Sequence, residues 1–268
     1  GLSSIGEAAS GNALITPWIP STVGVVALVA FVWRQLALKD YALLDVRAFA
    51  RPTFTTALVM MLVAMMSLFG TLILLPLYMQ QVLGVSVLDS GLALLPGGLV
   101  MGVLGWFVGR LFDKVGPRPL VIPGALLTSA ALWGMTTLDG DSSLGMVVAF
   151  HIVMSTGLAL LFSPLMTAAL GSLPPHLYSH GSALMNTLQQ VAAAAGTAMF
   201  ITVMALGIVS GAESGAEPVA AQMNGVHNAM LVGALISLIT VIGVFFIRNT
   251  AQTEAPVAQA LAEEADQA

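Results

Sequence analysis

Cysteine is absent from the chain, which excludes disulfide frameworks, thiolate zinc sites and thiol catalysis. Charge is scarce as well: 8% of the 268 residues are Asp, Glu, Lys or Arg, and only eight are basic. So few cations, none gathered into a patch, cannot hold a nucleic acid backbone. An ordinary soluble domain is excluded because it carries about a quarter charged residues, whereas here 57% are hydrophobic and the mean hydropathy is +0.94. The apolar stretches hold no Ser/Lys, paired-Asp or His/Glu arrangement, and no His-Glu-x-x-His pattern links the histidines. Neither a metal centre nor an intramembrane enzyme is expected.

What the sequence has instead is long apolar runs. Stretches at 13–33, 52–77, 91–112, 119–138, 144–170, 181–208 and 225–247 contain at most one ionisable residue each. Each is long enough to cross a bilayer, which takes roughly 20 residues in a helix. Helices are the expected form, because hydrocarbon offers the backbone no water to bond and the runs lack the alternation of barrel strands. The fold class read from this pattern is an all-α integral membrane protein with about seven transmembrane helices.

The sparse charges are sorted. If the first span runs from outside to inside, Arg34, Lys39, Arg47 and Arg51 fall in the first cytoplasmic loop, Arg110, Lys114 and Arg118 in the second, and Arg248 follows the last span. The opposite loops carry Glu7, Asp89, Asp139, Asp141, Glu213 and Glu217. Lys and Arg confined to one face predict the number of spans, the orientation and a cytoplasmic C-terminus. The loop at 171–182 has no basic residue and is placed inside by the count alone. Residues 1–12 are polar and small, without the basic start and apolar core of a signal peptide, and read as an external loop exposed by truncation. Residues 249–268, rich in Ala, Gln and Glu, read as a disordered cytoplasmic tail.

The third span carries Gly91, Gly98, Gly102, Gly105 and Gly109 along one helix face. Such a stripe lets a neighbouring backbone approach closely, either as a static seam or as a sliding one. Directly after it comes a short charged loop through Arg110, Asp113, Lys114, Gly116 and Arg118. Asp113 can accept hydrogen bonds from Arg110 or Arg118, or sit at a helix N-terminus, in a contact that forms in one state and breaks in another. The competing reading is that these charges only keep the loop in the cytoplasm.

The pattern G-x-x-x-D-[RK]-x-G-x-R, borne by Gly109, Asp113, Lys114, Gly116 and Arg118, resembles the loop signature of the major facilitator superfamily, which recurs between the second and third helices of each six-helix bundle. The stretch at 162–175, followed by 180–190, is similar to the region joining bundle helices four and five in the fourteen-span drug:proton antiporters of that family. The resemblance implies an inserted transmembrane helix at 13–34, a cytoplasmic connector at 35–51 and the C-terminal six-helix bundle at 52–248. It also implies a missing N-terminal half, and proton-coupled multidrug efflux across the plasma (inner) membrane by alternating access. The implied partners are the lipid bilayer and a small amphipathic substrate, with no cofactor beyond the proton gradient. The acids proposed to carry protons in that family lie mostly in the missing half, and no Asp or Glu lies deep in any span here. A non-transporting structural or partner-binding membrane subunit is the alternative. Helix packing alone would explain the glycine stripe and the polar face described next, but not the loop signature.

Asn186, Gln190 and Thr197 share a face of the sixth span, with Gln189 adjacent. Amides are costly in lipid, so this face is expected to point into the bundle or a wet cavity, either contacting substrate or bonding neighbouring helices. His151 lies roughly 10 Å into the fifth span at 1.5 Å per residue. It can carry a proton or simply bond a neighbouring helix. The methionines at Met60, Met61, Met65 and Met66, with Met154, Met166, Met199 and Met204, read as lipid-facing filler rather than as a pocket.

Overall fold

The computed structural model describes residues 44–247 together with 22–24, 26–27, 29–30 and 33–35, which are helical. The expected external loop, the tail, Lys39, Arg248 and much of the inserted helix and connector lie outside the described residues. Six helices follow a short 3-10 turn at Val46–Ala50: α1 (Pro52–Gln81), α2 (Val87–Val115), α3 (Arg118–Met135), α4 (Leu144–Gly171), α5 (Tyr178–Glu213) and α6 (Pro218–Gly243). No strand occurs among the described residues, and the fold is the all-α membrane architecture expected.

Local chemistry sets the helix ends. Proline stands in the first turn of α1, α3 and α6, where its missing N–H costs nothing. Ser86 and Ser143 cap α2 and α4 by accepting from the backbone N–H of Asp89 and Met146. Gly116, at φ 75°, ends α2 in a left-handed conformation that a side chain would disfavour. The helices overrun the apolar stretches: α5 spans 36 residues, from Tyr178 to Glu213, where the apolar run covers 181–208. Hydropathy marks only the part inside hydrocarbon, while backbone bonding continues into the headgroup layer. Every helix except α3 is long and apolar enough to cross a membrane. The exception is 18 residues long and begins with Arg118.

The helices pair both with sequence neighbours and across the chain. α2 packs on α4 and α5 on α1; α3 packs on α4 and α6 on α1; α1 meets α4 and α3 meets α6. Exchanging the first three helices with the last three preserves all these pairs, as an inverted repeat within a six-helix unit requires. One pair breaks the symmetry: α5 and α6 pack along their length through Gly207, Gly211 and Gly225, while α2 and α3 barely touch. In the centre, Gly157 of α4 lies against Gly124 and Thr128 of α3, and Gly196 of α5 lies on the backbone of Met66. Such contacts replace the hydrophobic drive that lipid cannot supply. Ser129 and Ser237 share a hydrogen bond of 2.8 Å that joins α3 to α6 inside this core.

Hydrogen bonds also sort the loops into two ends. Arg118 Nε donates to the Ile247 carbonyl at 2.6 Å, bringing the α2–α3 loop and the end of the α6 segment together. The Asp45 N–H donates to His180 Nδ1 at 3.4 Å, bringing the connector to the start of α5. At the other end the Tyr78 hydroxyl donates to the Asp139 carbonyl at 2.6 Å.

The methionines contradict the expectation of lipid-facing filler. Met60, Met61, Met154 and Met204 are buried in the core. With no polar atom to pair and a flexible thioether, they fill irregular gaps between helices.

Candidate functional site

α1 and α5 run parallel, with Phe54 beside Gly181, Met66 beside Gly196 and Gly70 beside Phe200. Between them lies a cleft of about 570 Å³ lined by Met65, Phe69, Asn186, Thr187, Gln189 and Gln190. Met65 and Phe69 are one turn apart on α1; Asn186 and Gln190 are one turn apart on α5. Asn186, Thr187, Gln190 and Phe69 are exposed, and the Gln189 Nε2 is buried without a partner among the described residues. The cleft therefore offers amide and hydroxyl hydrogen-bonding groups opposite a thioether and an aromatic ring, and none of its lining residues ionises at neutral pH. Such a lining can hydrogen-bond a molecule on one side and pack against its apolar parts on the other.

Three of the cavity candidates, Asn186, Gln189 and Gln190, meet in this cleft. Thr197 and His151 do not line it. Thr197 lies about two turns further along α5, beyond the Gly196–Met66 crossing. His151 is buried where α4 meets α2. Phe69 and Thr187 were not singled out from sequence, and Met65, read there as lipid-facing filler, lines the cleft instead. Thr187 adjoins Asn186, and only its position could have found it.

The glycine stripe has no partner in the described residues. A Cβ added to Gly91, Gly98, Gly102 or Gly105 would meet nothing within 4 Å, and at Gly109 the nearest atom is Ser163 Oγ at 3.9 Å. The close approach that α2 does make is through Gly97, on the other side of the helix. α2 thus presents an open face: 17% of its span is buried, against 56% for α1.

In the charged loop, neither of the ion pairs considered for Asp113 forms. The Arg110 guanidinium stacks 3.7 Å above the Trp106 ring. Arg118, first residue of α3, reaches the Ile247 carbonyl, left without a helical donor where the α6 segment ends. Asp113 is exposed, with no ion pair or side-chain hydrogen bond among the described residues. Gly116 is explained by its left-handed backbone.

At the connector, burial tends to raise the Asp45 carboxyl, but hydrogen bonds from the Arg47 backbone and side chain, with the charges of Arg47 and His180, hold it below its ordinary value. The carboxylate accepts from the Arg47 N–H at 2.9 Å and from Nε at 3.0 Å. No group of His, Cys, Asp and Glu among the described residues can hold a metal ion.

The sequence profile of the Major Facilitator Superfamily matches residues 5–197. The chain is 39% identical over 252 residues to the lincomycin resistance protein LmrB of Listeria monocytogenes, covering 92% of this chain and 53% of that protein. It is 36% identical over 255 residues to the LmrB of Bacillus subtilis, covering 93% and 53%. A multidrug resistance protein B homolog of Mycobacterium tuberculosis is 32% identical over 183 residues, covering 68% of this chain and 34% of that protein. The chain spans about half the length of the LmrB relatives it matches.

Proposed function

The chain belongs to the major facilitator superfamily, and we propose that it forms the C-terminal bundle of a transporter that exports drugs or other small amphipathic molecules by alternating access, driven by a proton gradient. The observation that carries this reading is the amide-lined cleft between α1 and α5. A binding surface of that chemistry, open and flanked by an uncovered α2, suits one wall of a cavity at the interface of two bundles. Relatives named for lincomycin and multidrug resistance support small-molecule export, and in the LmrB proteins the matched part is about half of the molecule. The work is conformational: one bundle rocks against the other while the cleft binds and releases substrate. Their bacterial sources support a plasma-membrane location, and the sorting of Lys and Arg supports a cytoplasmic C-terminus. Asp113, unpaired among the described residues, is poised to bond the second bundle in another state and so to act as the latch.

Inverted membrane vesicles bearing the full-length transporter test this directly. They should accumulate a fluorescent lipophilic cation only while a proton gradient is maintained, and collapsing the gradient should release it. Asp113→Asn should lower the rate without lowering the amount of protein in the membrane. Accumulation that ignores the gradient rejects proton coupling, and an unchanged rate in Asp113→Asn removes the latch.

A further inference from the structure

His151 takes no part in the cleft between α1 and α5, yet it is titratable and lies deep in the bundle. Its ring is 2% exposed. α2 closes on it at Gly97, where an added Cβ would lie 2.7 Å from the ring Nε2 and 2.8 Å from Ser155 Oγ. The seam can close only because residue 97 has no side chain. The Leu94 backbone of α2 lies against the imidazole, and the ring Nδ1 has no partner among the described residues. A bare acceptor inside a protein is costly. A proton or a water molecule is what satisfies such a lone pair.

A cleft of about 720 Å³ opens beside this seam, lined in part by Asp89, Leu92, Ala93, Pro96 and Val148. Ala93 and Pro96 are next in sequence to Leu94 and Gly97, the residues that touch the ring. Val148 precedes His151 by about one turn of α4. Pro96 has no N–H, so the carbonyl of Leu92 lacks its usual helical donor and faces the need for another. Asp89 is exposed and its carboxylate accepts from Ser86 Oγ at 2.7 Å. Polar groups of this kind let the cleft hold water close to the imidazole.

The helices packed on α4 bring no carboxylate into the seam. From α2 the titratable groups are Asp89 in the cleft and, at the opposite end, Arg110, Asp113 and Lys114; α3 offers only Arg118, at that same opposite end. α1 offers Tyr78, whose hydroxyl is engaged with Asp139. α5, which barely touches α4, has Tyr178 and His180 at one extremity and Glu213 at the other. An imidazolium at His151 would therefore stand unpaired while the seam is dry.

Resting on the transporter reading, we propose that His151 is a proton-binding site, distinct from the substrate cleft and reached through the α2–α4 cleft as an outer vestibule. A proton entering past Asp89 binds Nδ1. The resulting charge cannot stay in a dry seam, so α2 moves off α4 and cleft water hydrates the ring; loss of the proton lets Gly97 close on it again. Proton binding thereby biases the outer end of the bundle towards its open form.

The test uses full-length transporter in a cysteine-free background, with Ala93→Cys as reporter. A membrane-impermeant maleimide is applied from outside, and each rate is divided by that of Gly140→Cys in the α3–α4 loop, which removes the thiol's own pH dependence. The normalised rate should rise about tenfold between about pH 8 and about pH 5.5. His151→Gln, whose amide stays polar but cannot titrate, should give a flat profile. Asp89→Asn, at an exposed position, should shift the midpoint to lower pH by removing the anion that concentrates protons at the vestibule. A flat wild-type profile, a pH-dependent His151→Gln or an unshifted Asp89→Asn each overturns the proposal, so it stays decidable if the Gln variant fails to fold. Export of the fluorescent cation, measured on the same preparations, separates the two readings. Proton-driven export with a flat labelling profile sinks the His151 site alone, and pH-dependent labelling without export sinks the transporter reading alone.

Discussion

Asn186 and Gln190 stand one turn apart on α5, exposed and facing Met65 and Phe69 across the cleft. Each amide is placed to hydrogen-bond a bound molecule, a contribution of about 1 kcal/mol, or about fivefold in apparent KM. Asn186→Leu and Gln190→Leu should each raise the apparent KM for the exported cation by about that factor, and the level of folded protein should hold because neither side chain is buried. Export kinetics unchanged in both variants would take this cleft off the substrate path. The amides were legible in the sequence because polar side chains inside an apolar run are rare and demand a reason. Met65, Phe69 and Gly97 were not, since apolar and small residues in an apolar helix carry no mark of which way they face. The lowered carboxyl at Asp45 has a pH signature of its own: what it stabilises is fully present above the ordinary carboxylate range and is lost only as pH falls through its lowered value. The carboxylate itself does not titrate where imidazole does, so its own protonation cannot mimic the response expected of His151.

The existence of the helices followed from run length alone, because a bilayer fixes how many apolar residues a span needs. Which face of each helix meets which neighbour did not follow, because in lipid the outward face is as apolar as the inward one. Leu99 and Leu126 are well exposed while Leu74 and Leu132 are buried, and nothing in their chemistry separates them. The glycines show both sides of this. The stripe on α2 was visible as a periodic pattern, yet none of the other five helices covers it, while Gly157 and Gly196, which lie where helices cross, form no conspicuous stripe. Two substitutions divide these roles. Gly196→Val drives a side chain into the Met66 backbone and should destabilise the protein by about 1–3 kcal/mol, seen as a lower unfolding temperature in detergent. Gly98→Val meets nothing within this bundle and should leave that temperature nearly unchanged, within the roughly 0.5 kcal/mol typical of surface positions. If a second bundle seats on the α2 face, Gly98→Val should nonetheless slow export. Wild-type export from Gly98→Val would mean that the face is covered by lipid.

At the scale of the whole molecule, the hydrogen bonds that cross between loops give the charge pattern a structural counterpart. The Arg118–Ile247 and Asp45–His180 bonds gather the basic loop, the connector and the start of α5 with the end of the α6 segment, while Tyr78–Asp139 ties the end of α1 to the α3–α4 loop, whose only charges are Asp139 and Asp141. The α4–α5 loop contains no basic residue, and its side could be assigned from sequence only by counting spans. The bond between the connector and the start of α5, just after that loop, supplies a reason independent of the count, because Arg47 and Arg51 flank the same contact. Positive residues resist translocation, so the end that holds them should stay in the cytoplasm. Single cysteines make this testable in the full-length transporter. Gly140→Cys and Ser214→Cys should react with an impermeant maleimide in intact cells, whereas Lys114→Cys and Ser172→Cys should react only in inverted vesicles. If Lys114→Cys and Ser214→Cys react from the same side, the six helices cannot all cross the membrane. The cleft between α1 and α5 would then lose the access from two sides on which alternating transport depends.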